Sequence, residues 1–239
     1  MNYFFKRIVF FTVIQLTFVI IGTAQNAELS TADSLFNVKK YTEAFEKYEQ
    51  IYDQGQASSA MLTRMAFIQE GLGNYADALY YLSLYYYETS DKAALLKMRD
   101  LAEEHNLNGY EYSDTKFIVN TVRQYQLEIF LVLIAFSIFL FAYGYSKYRK
   151  QEKPLISLGV QVITLALIGL LSNNVFLEKS AVITSDQALL MTGPSAGAEP
   201  VDYLDRGNKV KLIKSDPLWS QIQWGEDIVF VRTKNIKSL

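Results

Sequence analysis

Side chains able to do bond chemistry are scarce in this sequence. His105 is the only imidazole among 239 residues, and cysteine is absent. Thiolate nucleophiles, thiolate metal sites, disulfides and a lipidated N-terminal cysteine are therefore excluded. His105 follows Glu103 and Glu104, a trio with metal-capable atoms. Consecutive helical residues point to different faces, so the trio is a poor chelate, and a surface histidine at a helix end is the plainer reading. A lone histidine also argues against Ser-His-Asp catalysis. The sequence holds no glycine-rich phosphate loop and no carboxylate pair in a catalytic context. The expectation is a non-enzyme with no catalytic residue, no cofactor and no metal. With 23 Lys+Arg against 25 Asp+Glu and a formal charge of −2, the basic surplus of a nucleic-acid binder is missing. An aromatic content of 14% argues against a disordered chain.

Three apolar blocks interrupt otherwise soluble sequence. The first has Lys6-Arg7, then an uncharged run from Ile8 to Gly22, then Gly22-Thr23-Ala24. A basic start, an apolar centre and small residues at the end predict a secretory signal over residues 1–24, cleaved after Ala24. An uncleaved anchor is the alternative, and either one exports the chain from residue 25 onward. The second block spans residues 127–145, with Glu128 at its edge, and the third residues 154–172. Each approaches the roughly 20 residues that cross a bilayer as a helix. Tyr125 at one end of the second block, and Tyr143, Tyr145 and Tyr148 at the other, suit headgroup level. The link 146–153 carries Lys147, Arg149, Lys150 and Lys153 against Glu152, so it belongs in the cytoplasm. These cues predict a transmembrane hairpin that leaves residues 25–126 and 178–239 on the extracytoplasmic side. Ser137, Gly144 and Gly159 are expected to let the two helices pack closely. The absence of Asp, Lys, Arg and His within the blocks argues against transport.

Residues 25–126 repeat at an offset of 34. Lys40-Tyr41-Thr42-Glu43-Ala44 aligns with Asn74-Tyr75-Ala76-Asp77-Ala78, Ala32 with Ala66, and Tyr48 with Leu82. Small residues at Ala32/Ala66 and Ala44/Ala78 admit close helix approach, and Gly73 suits a tight turn. The pattern resembles the tetratricopeptide repeat. Repeats are expected at about 25–57 and 58–91, with a partial third at 92–126. In that third unit Asp91–His105 reads as a helix with Ala94, Leu95, Met98, Leu101 and Ala102 on one apolar face. Its partner departs from the pattern, since the position 34 after Tyr75 is Gly109, followed by Tyr110. A second helix, Ser113–Gln126, is expected to run straight into the membrane segment. The clustered Tyr80, Tyr81, Tyr85, Tyr86 and Tyr87 are expected mainly as packing between helices, with one or two exposed.

The repeat resemblance implies a concave face that binds an extended peptide. Carried onto this chain, that face would hold Leu29, Asp33, Phe36 and Asn37, then Thr63, Phe67, Glu70 and Gly71. From the third unit come Lys97, Leu101, Glu104 and His105. It lacks the Lys/Asn/Arg set with which chaperone-binding relatives hold a C-terminal carboxylate.

Residues 178–239 alternate in short strand-like runs: Ala181–Ile183, Ala188–Met191, Val210–Ile213, Trp219–Trp224 and Ile228–Val231. Gly193-Pro194-Ser195, Arg206-Gly207-Asn208 and Gly225-Glu226-Asp227 mark turns. Met191-Thr192-Gly193-Pro194-Ser195, Gly207-Asn208-Lys209-Val210 and Trp219-Ser220-Gln221-Ile222 resemble, in order and spacing, a bacterial SH3-like small barrel. Val229-Phe230-Val231 stands where that family has Gly-Trp-Val. Trp219 is expected in the core, with Tyr203 and Trp224 on an exposed partner-binding groove.

The whole order of signal, helical repeats, membrane hairpin and SH3-like domain resembles the E-type family of Bacteroides aerotolerance (Bat) operon proteins. That resemblance implies a bacterial inner-membrane protein with both soluble domains in the periplasm. Its implied partners are other envelope proteins, among them von Willebrand A-domain Bat proteins, and its implied role is stress or oxygen tolerance. The expected fold class is thus a multidomain membrane protein: an all-α tetratricopeptide-type repeat, a two-helix hairpin and an all-β barrel. The expected function is a non-enzymatic scaffold. The alternative is a cell-wall tether or sensor that binds peptidoglycan peptides through the barrel, and a signalling role for the short basic link ranks last.

Overall fold

A computed structural model describes residues 28–111, 113–151, 153, 155–173 and 178–239. The expected signal segment lies outside the described residues. The chain divides into two compact units, residues 1–82 and 83–239.

In the first unit, α1 (28–37), α2 (Tyr41–Asp53), α3 (Ser59–Gly71) and the opening of α4 (Tyr75–Thr89) succeed one another through short turns. The α1–α2 and α3–α4 turns share a backbone feature: Lys39 (φ 62°) and Gly73 (φ 77°), 34 positions apart, are both left-handed. Ser58 caps α3, its hydroxyl accepting from the Met61 N–H at 3.2 Å, which satisfies a donor the helix cannot. Burial repeats at the same offset. Ala32 and Ala44 are fully buried, as is Ala78, and Ala66 is 2% exposed. Methyl-sized side chains at those positions let the helix backbones approach, while Tyr48, Leu62, Met65, Ile68 and Leu79 fill the interior. Each such large side chain contributes about 1.5–3 kcal/mol by leaving water.

In the second unit, α5 (Lys92–Glu104) buries Ala94, Met98, Leu101 and Ala102 on one face. Asp91 caps it, accepting from the Ala93 N–H at 2.8 Å. The next helix, α6 (Asp114–Gln124), is capped by Ser113. It does not run unbroken into the long apolar helix that follows, because Tyr125 closes it before α7 (Gln126–Arg149) begins. With α8 (Leu155–Ser172), α7 is long and apolar enough to span a membrane, at mean hydropathies of 2.3 and 2.2. The two pack antiparallel. Gln126 Nε2 donates to the Leu171 carbonyl at 2.9 Å, and Gln161 Nε2 donates to Ser137 Oγ at 2.7 Å. A Cβ on Gly144 would lie 3.3 Å from Ser157 Oγ, so Ser137 and Gly144 are at the seam. Gly159 is not, since a Cβ there would meet nothing within 4 Å. Polar clasps of this kind contribute about 0.6 kcal/mol each in a bilayer.

Seven strands complete the unit: β1 (Lys179–Ile183), β2 (Ala188–Met191), β3 (Pro200–Leu204), β4 (Lys209–Ser215), β5 (Trp219–Trp224), β6 (Asp227–Arg232) and β7 (Ile236–Ser238). They form one antiparallel sheet in the order β3-β2-β6-β5-β4-β1-β7. Its edges, β3 and β7, do not pair with each other, so the ladder does not close into the expected barrel. Ile183, Leu190, Ile222, Val229 and Val231 centre its core. Strands β3 and β7 were not expected. Pro200 and the exposed alternation of Val201-Asp202-Tyr203 mask an edge strand, and β7 is only three residues long.

The departure from the repeat at Gly109-Tyr110 has a structural use. Residues 107–110, between α5 and α6, seat on the turn that precedes β4. The Lys209 N–H donates to the Asn108 carbonyl at 3.0 Å, and the Asn108 N–H donates to Asn208 Oδ1 at 2.9 Å. Tyr110 is buried, and its hydroxyl donates to the Gly207 carbonyl at 2.8 Å. The two surfaces approach closely at two glycines. A Cβ on Gly109 (φ 93°) would land on the Lys209 carbonyl, and one on Gly207 (φ 97°) would sit 2.7 Å from Leu107 Cδ1. Gly225 (φ 60°) provides the control, because nothing lies within 4 Å of its Cβ position. Gly109→Ala is expected to destabilise by about 2–4 kcal/mol, through both the clash and the left-handed backbone. Gly225→Ala should cost only about 1 kcal/mol. Thermal unfolding of the detergent-solubilised chain checks this, and equal losses in the two variants would contradict the seating.

Candidate functional site

Two of the sequence-predicted face residues come together in the first unit. Phe36 and Phe67 meet edge-on at 5.8 Å between ring centroids. Tyr41 touches both, at 5.4 and 5.7 Å. Phe67 nevertheless remains 54% exposed, so the cluster has an apolar face open to solvent. Its polar border is fixed, and a third predicted residue, Asp33, belongs to it. The Arg64 guanidinium lies 5.5 Å over the Phe36 ring and pairs with the Asp33 carboxylate, to which the Tyr48 hydroxyl donates at 2.7 Å. The hydrogen bond to Asp33 raises the Arg64 pKa further. Burial, and then the bond to Asp33, push the Tyr48 phenol up to about 12. Asp33 is thus held from two sides and points its charge into the Arg64–Tyr48 pair.

The other predicted residues are distributed differently. Asn37 is exposed, and Glu70 is half-buried. Thr63 is half-buried and donates its hydroxyl back to the Ala60 carbonyl at 2.9 Å. Lys97 and Leu101 belong to the second unit. Lys97 is exposed, but Leu101 is 3% exposed and packs on the buried face of α5, which removes it from any open surface. In the sheet, Tyr203 is 60% exposed on the edge strand β3. Both tryptophans are half-buried. Trp224 packs against the core, and Trp219, expected within it, lies beneath the Arg232 guanidinium, 4.2 Å from its ring centroid.

The second unit contains a site that the sequence did not disclose, a cavity of about 650 Å³. One wall is a single face of α6, with Lys116, Val119, Asn120 and Arg123 at helical spacing. Asn120 is buried and donates to the Tyr86 carbonyl and to Ser90 Oγ, both at 2.9 Å, which fixes that face. Opposite stand Lys179 and Ser180 of β1 and Lys209 of β4. The Lys209 ammonium lies 5.1 Å from the Tyr87 ring centroid and 5.6 Å from that of Tyr110. The Arg123 guanidinium lies 5.4 Å from the Tyr87 ring. The Tyr87 and Ser180 hydroxyls are 2.8 Å apart.

Two tyrosines of this cavity titrate in opposite directions. Burial pushes the Tyr110 phenol well above its ordinary value. Burial alone would do the same to Tyr87, but the Lys209 charge, the hydrogen bonds from Ser180 and Lys209, and the Arg123 charge outweigh it, and the Tyr87 pKa is lowered. The two shifts act on stability with opposite signs. Raised groups such as Tyr110 and Tyr48 stabilise fully below the ordinary tyrosine value of about 10, and that contribution is lost as pH rises through their raised values. Tyr87 contributes fully only above that ordinary value, and its contribution is lost as pH falls through its lowered one. In an alkaline titration followed by phenolate absorbance, Tyr87→Phe should remove an early-ionising phenol and move the Tyr110 ionisation toward lower pH, because the Tyr87 charge adds to the raise that burial gives Tyr110. An early limb that survives the substitution would contradict this electrostatic arrangement.

Sequence reasoning missed the cavity because its walls come from α4, α5, the stretch around Gly109–Glu111, α6, β1 and β4. The signals available were the break in the 34-residue period at Gly109-Tyr110 and the Lys116/Asn120/Arg123 spacing. Compared with known proteins, the chain matches no protein-family profile and no curated sequence.

Proposed function

We propose that this protein is a non-enzymatic scaffold of a bacterial inner membrane, whose extracytoplasmic helical repeats dock a partner protein. The half-exposed Phe67 in the Phe36–Tyr41–Phe67 cluster, bordered by the Asp33–Arg64 pair, carries the proposal. An aromatic anchor with a pre-ordered charged neighbour is the composition of an interface centre, because little side-chain freedom remains to be lost on binding. The 34-residue repetition of burial supports a tetratricopeptide-type stack, and the SH3-like reading of residues 178–239 rests on the order and spacing of their sequence motifs. By the family resemblance, the partners are other Bat-type envelope proteins, including von Willebrand A-domain ones, in a complex linked to stress or oxygen tolerance. Holding two partners on one membrane-anchored chain raises their effective concentration for each other.

A second reading, a cell-wall tether that binds peptidoglycan peptides, is favoured by one observation. The edge strand β3 is exposed along most of its length, with Val201 at 46% and Tyr203 at 60%. An open edge of this kind can accept an extended peptide.

A photo-reactive residue at Phe67 should capture one or two specific envelope proteins from intact membranes, and Phe67→Ala should weaken that association by about thirtyfold, as for an interface anchor. Association that is unchanged in Phe67→Ala overturns the docking assignment, and pelleting of the chain with purified sacculi, lost in Tyr203→Ala, would install the second reading. The orientation has its own check, because the chain lacks cysteine. A cysteine placed at Ser195 should react with an impermeant maleimide added outside the inner membrane, and one at Lys150 should not. Labelling at Lys150 would reverse the hairpin.

A further inference from the structure

We propose that the cavity of the second unit binds the phosphate headgroup of an anionic phospholipid through Lys116, Arg123, Lys179 and Lys209. The inference rests on the membrane-hairpin reading above. Charge is the first support. Of the two acids at the cavity, Glu178 pairs with Lys211 at 2.6 Å, and Glu111 accepts from the Gly109 N–H at 3.2 Å but keeps its charge. Among the described residues no carboxylate pairs with Lys116, Arg123, Lys179 or Lys209, so these four cations outweigh Glu111 and the cavity keeps a net positive field. Two of these cations are held in place before any ligand arrives, Lys209 by the Tyr87 and Tyr110 rings and Arg123 by Tyr87. Pre-ordering of this kind lowers the entropic cost of binding.

The rest of the lining selects what the anion is attached to. Leu95, Met98, Val119 and Val210 add an apolar surface to the cavity. An acidic peptide would leave backbone N–H and C=O groups against that surface without partners, at a cost of about 1–3 kcal/mol for each one stranded. The glycerol and upper acyl carbons of a lipid carry no such groups. Position agrees with chemistry. Arg123 lies four residues before Leu127, where the apolar run of α7 starts, on the other side of the break at Tyr125. Lys179 opens the strand that comes after α8. The cations therefore gather where the chain enters and leaves the apolar hairpin, and headgroup phosphates occupy that level.

Native mass spectrometry of the full detergent-solubilised chain tests the proposal, with phosphatidylglycerol, phosphatidylcholine and inorganic phosphate as probes. Phosphatidylglycerol should be retained, and phosphatidylcholine should bind at least about tenfold more weakly. The Arg123→Gln, Lys209→Gln pair should weaken phosphatidylglycerol by about tenfold or more, given about one charge interaction lost per residue. Lys116→Gln changes only a solvent-exposed helical position and should weaken it severalfold without disturbing the fold, which guards against a double variant that does not fold. Equal retention of the two lipids, or full retention by all variants, overturns the proposal. So does tight binding of inorganic phosphate that excludes the lipid, which would make this a site for a soluble phosphate ester, or displacement of the lipid by a polyglutamate peptide. Alkaline carbonate extraction separates the premises. A wild-type chain stripped from membranes overturns the hairpin and the headgroup assignment together. A chain that stays, yet binds both lipids equally, overturns the headgroup assignment alone.

Discussion

The second unit depends on the seating of residues 107–110 against the turn that precedes β4. A Cβ on Gly109 would land on the Lys209 carbonyl, and one on Gly207 would press on the Leu107 side chain. Between them the Asn108–Asn208 and Tyr110–Gly207 hydrogen bonds answer buried polar groups that would otherwise face no water. Everything that makes the cavity depends on this contact. It brings Lys209 against Tyr110, sets β1 opposite α6, and orders the loop that joins α5 to α6. Helical propensity alone would have given α5 and α6 a short turn like those at residues 38–40 and 72–74. The longer connection is what lets a helical pair carry a sheet.

Tyrosine does much of the interior work. In the first unit Tyr48 closes the Asp33–Arg64 pair, and the Tyr52 and Tyr80 hydroxyls bond each other at 2.7 Å. In the second, Tyr87 and Tyr110 hold a lysine between their rings. A tyrosine buries a large apolar ring and still presents a polar tip. A chain without cysteine, and with one histidine, thus builds ordered charge with phenols and arginines. The Tyr87 position carries this furthest, since two cations stabilise its ionised form against burial.

The elements most legible in the sequence were those with a strong period. Ala32/Ala66 and Ala44/Ala78 announced close helix contacts because only a small side chain fits there, and the 34-residue offset placed the turns. The two apolar helices were equally plain from length and charge. Less legible were features fixed by distant partners. Strand β3 reads as loop because an edge strand needs no apolar alternation, and Pro200 disguises its start. The cavity was hidden because no local pattern joins Tyr87, Lys116 and Lys209. Leu101 falls on the implied open face of the repeat, yet it shares an apolar stripe with Ala94 and Met98, which marks the packed side. The places of Trp219 and Trp224 are set by strand parity. Side chains alternate along a strand, so Trp224 shares the side of Ile222, and Trp219 takes the other. The parity of that one isoleucine decides which indole packs against the core.

The seating of Gly109 on the Lys209 carbonyl has a consequence for how such a chain can change over time. A backbone atom about a hundred residues away, beyond a membrane-length hairpin in sequence, holds that position to glycine. No side-chain substitution at Lys209 relieves it, because the obstructing atom is main chain, whereas the Leu107 side chain that faces Gly207 can shift or shrink. The terminal sheet is therefore not a cassette that recombination can exchange freely. A transplanted sheet lacking Gly-Asn at that turn would leave Leu107, Asn108 and Tyr110 without a seat, and the two halves would have to be inherited together.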